Sequence, residues 1–363
     1  MKSISYLIFF VFIAVNYSFF QASFFPNFLK NLIFLAVCLL MFVFLAFEKN
    51  KNLKKSNFYS PFNLLLFLSF CFSLFSVLFF KKQPLFDSLY AYFPYVSIFF
   101  FPFYPFLVNL KLDFNKLSQI VIFIGFLYSV VVLLEVFNPN LNLFGVEELY
   151  STYSISRKSI LGSSSLIFSI FYFIANNKKF YQKLSLIYMI SVVFLIQSRT
   201  TIIVISILFL YHSLFRQKTL TKLTTIIIFT SFITYASTTQ IFNNIYFDLY
   251  EKSELQIDRG YNELKRYETF TFFTQDFKSN LYQKIFGHGL PRYGKSGYGK
   301  EISDLEFYNT YSLFDSSFLH YYIYFGIFGI IAIYGLIIKP LKFKIKREYI
   351  YFKYFIVFCL ISG

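Results

Sequence analysis

Apolar runs of about 15 to 22 residues recur from the N-terminus of this chain to its last residue. A bilayer core needs about 20 apolar residues per helix. Backbone in lipid must satisfy its own amides and carbonyls, which a helix does within one segment. The sequence therefore predicts an all-α fold, a polytopic transmembrane helical bundle. Charge agrees: 14% of the 363 residues are charged, against roughly 25% in soluble domains. There is no Trp among 31 Tyr and 57 Phe, so Tyr takes the interfacial role the two usually share.

Eleven spans are expected, at about residues 4–20, 29–47, 62–80, 89–108, 117–137, 160–175, 184–197, 202–215, 223–236, 317–338 and from 349 onward. The first follows Lys2 and lacks a small-x-small cleavage site, so it is an uncleaved helix rather than a signal peptide. The fourth carries Pro94, Pro102 and Pro105, which kink a helix and free carbonyls. The eleventh is still apolar at Gly363, which suggests a chain that continues. The whole of 1–363 is expected to form a single multi-pass membrane domain.

Orientation comes from Lys and Arg, which favour cytoplasmic loops. With the N-terminus inside, the short cytoplasmic connections hold 18 of them and the opposite short connections 6: Lys30, Lys81, Lys82, Arg157, Lys158 and Arg199. The same rule accounts for the net charge of +16 and removes the case for nucleic acid as a partner. Cys38, Cys71 and Cys359 lie inside apolar runs with no Cys-x-x-Cys, so they are expected to be small buried hydrophobes.

One long polar stretch interrupts the pattern. Residues 241–315 hold 11 of the 18 acidic and 9 of the 34 basic residues. It is expected to be a large extracytoplasmic loop that carries the chemistry. Its acidic residues lack chelating spacing, so no metal is expected, and no P-loop, Gly-x-Ser-x-Gly or His-Glu-x-x-His occurs.

Arg199 sits in a turn of about four residues, Ser198-Arg199-Thr200-Thr201. Its planar fork suits phosphate, although an interfacial arginine with its head in water explains it too. Arg157 and Arg266 are the other arginines considered as anion ligands. In Phe286-Gly287-His288-Gly289 the glycines Gly287 and Gly289 permit close backbone approach to a ligand, and a plain loop turn is the alternative. His288 is a base or a solvated residue. His212 and His320 are expected to be packed or interfacial. Asp315 fits a helix N-cap and equally a carboxylate that takes a proton from a hydroxyl.

Four landmarks in order resemble the O-antigen polymerase and O-antigen ligase superfamily over roughly residues 120–338. They are Arg157-Lys158-Ser159-Ile160-Leu161-Gly162; Gln197-Ser198-Arg199-Thr200; Arg266 followed by Phe286-Gly287-His288-Gly289; and Asp315-Ser316-Ser317-Phe318-Leu319 with Tyr324-Phe325-Gly326-Ile327-Phe328-Gly329. Ser163-Ser164 stand where Pro-Asn is common. The closing motif begins Asp315-Ser316 where ligases often have His-Asn, which favours a polymerase.

The resemblance implies an inverting, metal-independent glycosyl transfer with no cofactor, at the outer face of a bacterial cytoplasmic membrane. Donor and acceptor would be oligosaccharides on undecaprenyl diphosphate, and a chain-length regulator is a further expected partner. Arg157, Arg199 and Arg266 would meet the departing diphosphate. Asp315, then His288, would accept the hydroxyl proton. A ligase of the same chemistry remains an alternative. A flippase of lipid-linked sugars is a third, although transporters favour paired halves and mid-membrane charges, and only Glu135 lies deep within a span here.

Overall fold

The computed structural model describes residues 2–17, 61–100, 112–138, 163–176, 180–196, 199–216, 270–277, 280–292, 297–307 and 317–362, with isolated positions between 29 and 43 and at 141 and 143. In chain order the helices are α1 (Lys2–Tyr17), α2 (Pro61–Phe79), α3 (Leu85–Phe100), α4 (Phe114–Phe137), α5 (Ser164–Asn176), α6 (Phe180–Ile196) and α7 (Arg199–Arg216). They continue with α8 (Leu281–Phe286), α9 (Gly297–Phe307), α10 (Ser317–Ile338) and α11 (Ile350–Ser362). A π-helical turn covers Phe272–Asp276, and 3-10 turns cover Lys339–Lys342 and Arg347–Tyr349. No strand occurs among the described residues.

Three segments are long and apolar enough to cross a membrane: Pro61–Phe79, Phe114–Glu135 and Phe318–Lys342. Shorter apolar helices cover Ser3–Ala14, Ser164–Asn176, Phe180–Val193 and Thr201–Arg216. These are the helices of a membrane protein. The expected ninth span, 223–236, lies outside the described residues.

The chain divides into two compact units, one of Met1–Phe58, Phe100–His212 and Ile338–Ser362, the other of Tyr59–Phe99 and Ser213–Ile337. In the first, α5 is the hub. Nine of its thirteen residues are buried, against α4, α6 and α11. A Cβ on Gly125 of α4 would stand 2.5 Å from Ser169 Oγ and 2.6 Å from the Ser165 carbonyl oxygen. Small residues of this kind let membrane helices approach closely. Polar side-chain pairs cross the same bundle, Ser118 with Tyr351 at 2.7 Å and His212 Nδ1 with the Tyr354 hydroxyl at 2.8 Å. His212 is thus packed, as expected. Glu135 is fully buried near the end of α4.

The second unit holds α2, α3, α8, α9 and α10. On α2 the buried residues are Leu66, Ser69, Phe70, Ser73, Ser76 and Val77, a stripe at helical spacing that includes three serines. Leu64, Phe67, Phe75 and Phe79 are exposed. Hydroxyls inside and aromatics outside invert the soluble pattern, because lipid accepts aromatic rings while helix contacts need small hydrogen-bonding groups. The cysteines follow the same inversion: Cys71 and Cys359 are exposed, not buried as the sequence suggested.

The expected tenth span is not one continuous helix. Gly326 has φ 65° and ψ −169°, so α10 breaks there. A break frees carbonyls from the helical ladder, and three consecutive ones find new donors. The His288 amide donates to the Ile323 carbonyl at 2.7 Å and the Gly289 amide to Tyr324 at 3.1 Å. The Ser69 hydroxyl donates to Phe325 at 2.7 Å. Non-helical backbone is tolerated at membrane depth when neighbouring groups satisfy it in this way.

Candidate functional site

The segment that fills this break is Gly287-His288-Gly289, carried by α8. An Asn280 cap starts α8, with the Asn280 side chain accepting from the Gln283 amide at 2.8 Å and Gln283 Oε1 accepting from the Asn280 amide at 3.1 Å. Gly287 ends the helix at φ 89°. Tyr282 and Phe286 lie against the exposed aromatic rings of α2, with Phe72 and Phe286 centroids 4.4 Å apart. The Tyr282 hydroxyl donates to the Phe72 carbonyl at 3.0 Å.

From Gly287 onward the chain is non-helical, and side chains of α3, α9 and the α2–α3 turn act as its hydrogen-bonding partners. The Leu290 amide donates to the Tyr92 hydroxyl at 3.3 Å, which donates to Ser73 Oγ at 2.8 Å. The buried Gln83 amide group holds two points of the segment: its Nε2 donates to the Leu290 carbonyl at 3.2 Å, and its Oε1 accepts from the Arg292 amide at 3.0 Å. The Tyr298 hydroxyl of α9 donates to the Gly289 carbonyl at 3.2 Å. Arg292 is ion-paired with Asp87 in the first turn of α3 and lies 4.4 Å over the Tyr90 ring.

Gly287 and Gly289 make the close approach the sequence suggested, and in this structure they make it to the chain itself. A Cβ on Gly287 would meet the Tyr324 backbone. One on Gly289 would stand 2.6 Å from both the Ser73 carbonyl oxygen and Val77 Cβ.

His288 is 2% exposed. Its ring meets the edge of Phe277 at 4.7 Å between centroids. Burial and the nearby Lys81 cation push its pKa down to about 3, so the imidazole is neutral at pH 7. Its Nδ1 has no hydrogen-bond partner among the described residues. The Lys81 side chain, 11% exposed, lies 3.5 Å from Glu301 Oε2. Its ammonium also sits 4.5 Å over Phe277 and 4.8 Å over Tyr298. Phe277 thus has the Lys81 ammonium over its ring and the neutral His288 imidazole against it.

The other residues named from sequence are not brought into this cluster by anything described. Arg157, Arg266 and Asp315 lie outside the described residues. Arg199 opens α7, and only its backbone is described. His320 lies one turn into α10 against Tyr324, at 4.2 Å. Sequence reasoning gave no role to Lys81, Gln83, Asp87, Arg292, Tyr298 or Glu301. One signal did point there. Lys81-Lys82 is a basic pair in a short connection that the expected orientation puts outside the cytoplasm, where such residues are depleted.

No family model, curated protein or solved structure matches the chain.

Proposed function

We propose that the protein is a membrane glycosyltransferase that polymerises oligosaccharide repeat units carried on undecaprenyl diphosphate into O-antigen or capsular polysaccharide. The transfer is inverting and metal-independent, at the outer face of a bacterial cytoplasmic membrane. The observation that best supports this reading is the docking of Gly287-His288-Gly289 into the break in α10. It anchors the polar stretch to membrane helices and buries His288 among them.

Negative charge builds on the departing diphosphate, so fixed cations aimed at it supply the main catalytic term. Arg157, Arg199 and Arg266 take that role. Asp315 accepts the proton of the attacking hydroxyl. An imidazole pushed down to about 3 is a weak base at neutral pH, so His288 serves better to orient a substrate oxygen. Tethering both substrates to lipid lowers the entropic cost of their encounter.

The test is deletion of the gene followed by electrophoresis of surface glycan and of carrier-linked glycan. Single repeat units on the carrier, with no ladder, are expected. Full-length polymer stranded on the carrier would instead identify a ligase. Loss of outward-facing carrier-linked units would identify a flippase and overturn the enzyme reading.

A further inference from the structure

The connection between α10 and α11 is at once exposed and held in shape. Residues 339–348 read Lys-Pro-Leu-Lys-Phe-Lys-Ile-Lys-Arg-Glu, five basic residues against one acidic. Every residue of 342–348 is exposed, including Phe343 at 48% and Ile345 at 37%. The Lys353 ammonium of α11 donates to the Leu341 carbonyl at 2.7 Å, and the Asn176 side-chain amide at the end of α5 donates to the Glu348 carbonyl at 3.3 Å. Within the connection the Phe343 amide donates to the Pro340 carbonyl at 3.2 Å and the Tyr349 amide to the Lys346 carbonyl at 3.0 Å. Tyr349 packs against the apolar core of the first unit.

We propose that residues 342–347 form a docking surface for anionic phospholipid headgroups. Lys342, Lys344 and Lys346 meet the headgroup phosphates, and Phe343 and Ile345 enter the boundary between headgroups and acyl chains.

Three observations carry this. The first is position. The apolar stretch that is long enough to cross a membrane ends at Lys342. Lys346, the farthest of the three lysines, is four residues beyond, at most about 14 Å of extended chain. All three cations therefore stay within one to two Debye lengths of the bilayer, each about 8 Å at physiological ionic strength, and basic segments so placed are drawn to anionic lipid. The second is the state of the charges: no carboxylate pairs with Lys342, Lys344 or Lys346 among the described residues. The third is composition. A basic connection that serves only to orient the bundle needs no apolar side chain, yet Phe343 and Ile345 alternate with the lysines in full exposure. Interfacial binding uses both kinds, cations for headgroups and apolar groups for the acyl boundary. A soluble acidic protein would have to displace the bilayer surface to reach them, whereas headgroups already lie beside Lys342.

This surface is independent of the proposed reaction. The chain has no Trp, so F343W in the full chain supplies a single fluorophore on the surface. The protein is placed in phosphatidylcholine nanodiscs in which either the phosphatidylcholine or added phosphatidylglycerol carries brominated acyl chains, which quench Trp on contact. F67W is the reference, because Phe67 is 52% exposed on α2, a helix without charged residues.

Read from quenching against mole fraction, phosphatidylglycerol should associate at F343W about fivefold more tightly than phosphatidylcholine, the effect of about one lysine beside an anionic surface. The preference should fall as salt is raised, and F67W should show none. K342Q, K344Q and K346Q together should bring F343W to the F67W ratio. Those side chains are exposed, so elution from a sizing column in detergent should not change. K344Q alone should lower the ratio by part of that amount, which keeps the test standing if the triple variant fails to fold. Equal quenching by the two lipids, quenching by neither, or a preference that survives the triple variant or high salt overturns the surface. A change in F343W emission with soluble poly-glutamate in plain phosphatidylcholine nanodiscs, without a phosphatidylglycerol preference, overturns it in favour of an acidic protein partner.

Discussion

Gly287 and Gly326 lie back to back, each at positive φ. A Cβ built on Gly326 would stand 2.5 Å from the Gly287 amide nitrogen, and one on Gly287 would collide with the Tyr324 backbone. The break in α10 and the segment that fills it therefore require each other. Alanine at either position should destabilise the protein by roughly 2 to 4 kcal/mol, combining left-handed strain with overpacking. Thermal unfolding in detergent checks this. G297A is the control, since nothing lies within 4 Å of a Cβ there, and its melting point should stay within error of wild type.

Arg292 and Asp87 fasten the far end of the same segment to α3. Both side chains are mostly buried, at 30% and 20% exposure, so losing either should cost about 1 to 3 kcal/mol. R292A also loses its stacking on Tyr90. In a double-mutant cycle, D87A and R292A together should cost less than the sum of the single effects. Strict additivity would show that the pair does not hold the segment.

His288 makes stability depend on pH. Its folded pKa lies near 3, below the unfolded value of about 6.5. The unfolded chain thus binds a proton that the folded chain refuses. The stabilisation is complete above about pH 6.5 and declines toward about pH 3, by about 1.4 kcal/mol per pH unit within that window. Unfolding midpoints at pH 7.5 and 5 should separate in the wild type and move closer together in H288Q. Equal separations would mean the imidazole is not desolvated.

Arg199 and Arg266 carry the proposed reaction. R199A and R266A should each remove long polymer while leaving the protein in the membrane, as judged by glycan electrophoresis and immunoblotting. Lysine should rescue poorly, because it loses the two-point fork. If both alanine variants still make long polymer, the diphosphate clamp is wrong.

The proposed orientation predicts reporter activity by position. A phosphatase fused within residues 241–315 should be active outside the cytoplasm, and one fused at residues 48–55 should not be. The opposite pattern would invert the bundle and move Lys81 and His288 to the cytoplasmic side.

By itself the sequence determined that this is a helical membrane protein. Apolar length and the scarcity of charge are local, additive properties, and lipid leaves the backbone few alternatives. It also drew attention to residues 286–289, since two glycines around a histidine are visible in any reading. Only the tertiary structure decided what those glycines do. Hydropathy cannot register a single residue at φ 65°, so residues 317–338 read as one uninterrupted span, with no hint that three carbonyls would be freed at Gly326. Nor can spacing along the chain show that Lys81 pairs with Glu301, more than two hundred residues further on. That convergence follows from α8 and the segment after it being hydrogen-bonded into the break, a pairing that exists only once α2, α3 and α10 have packed.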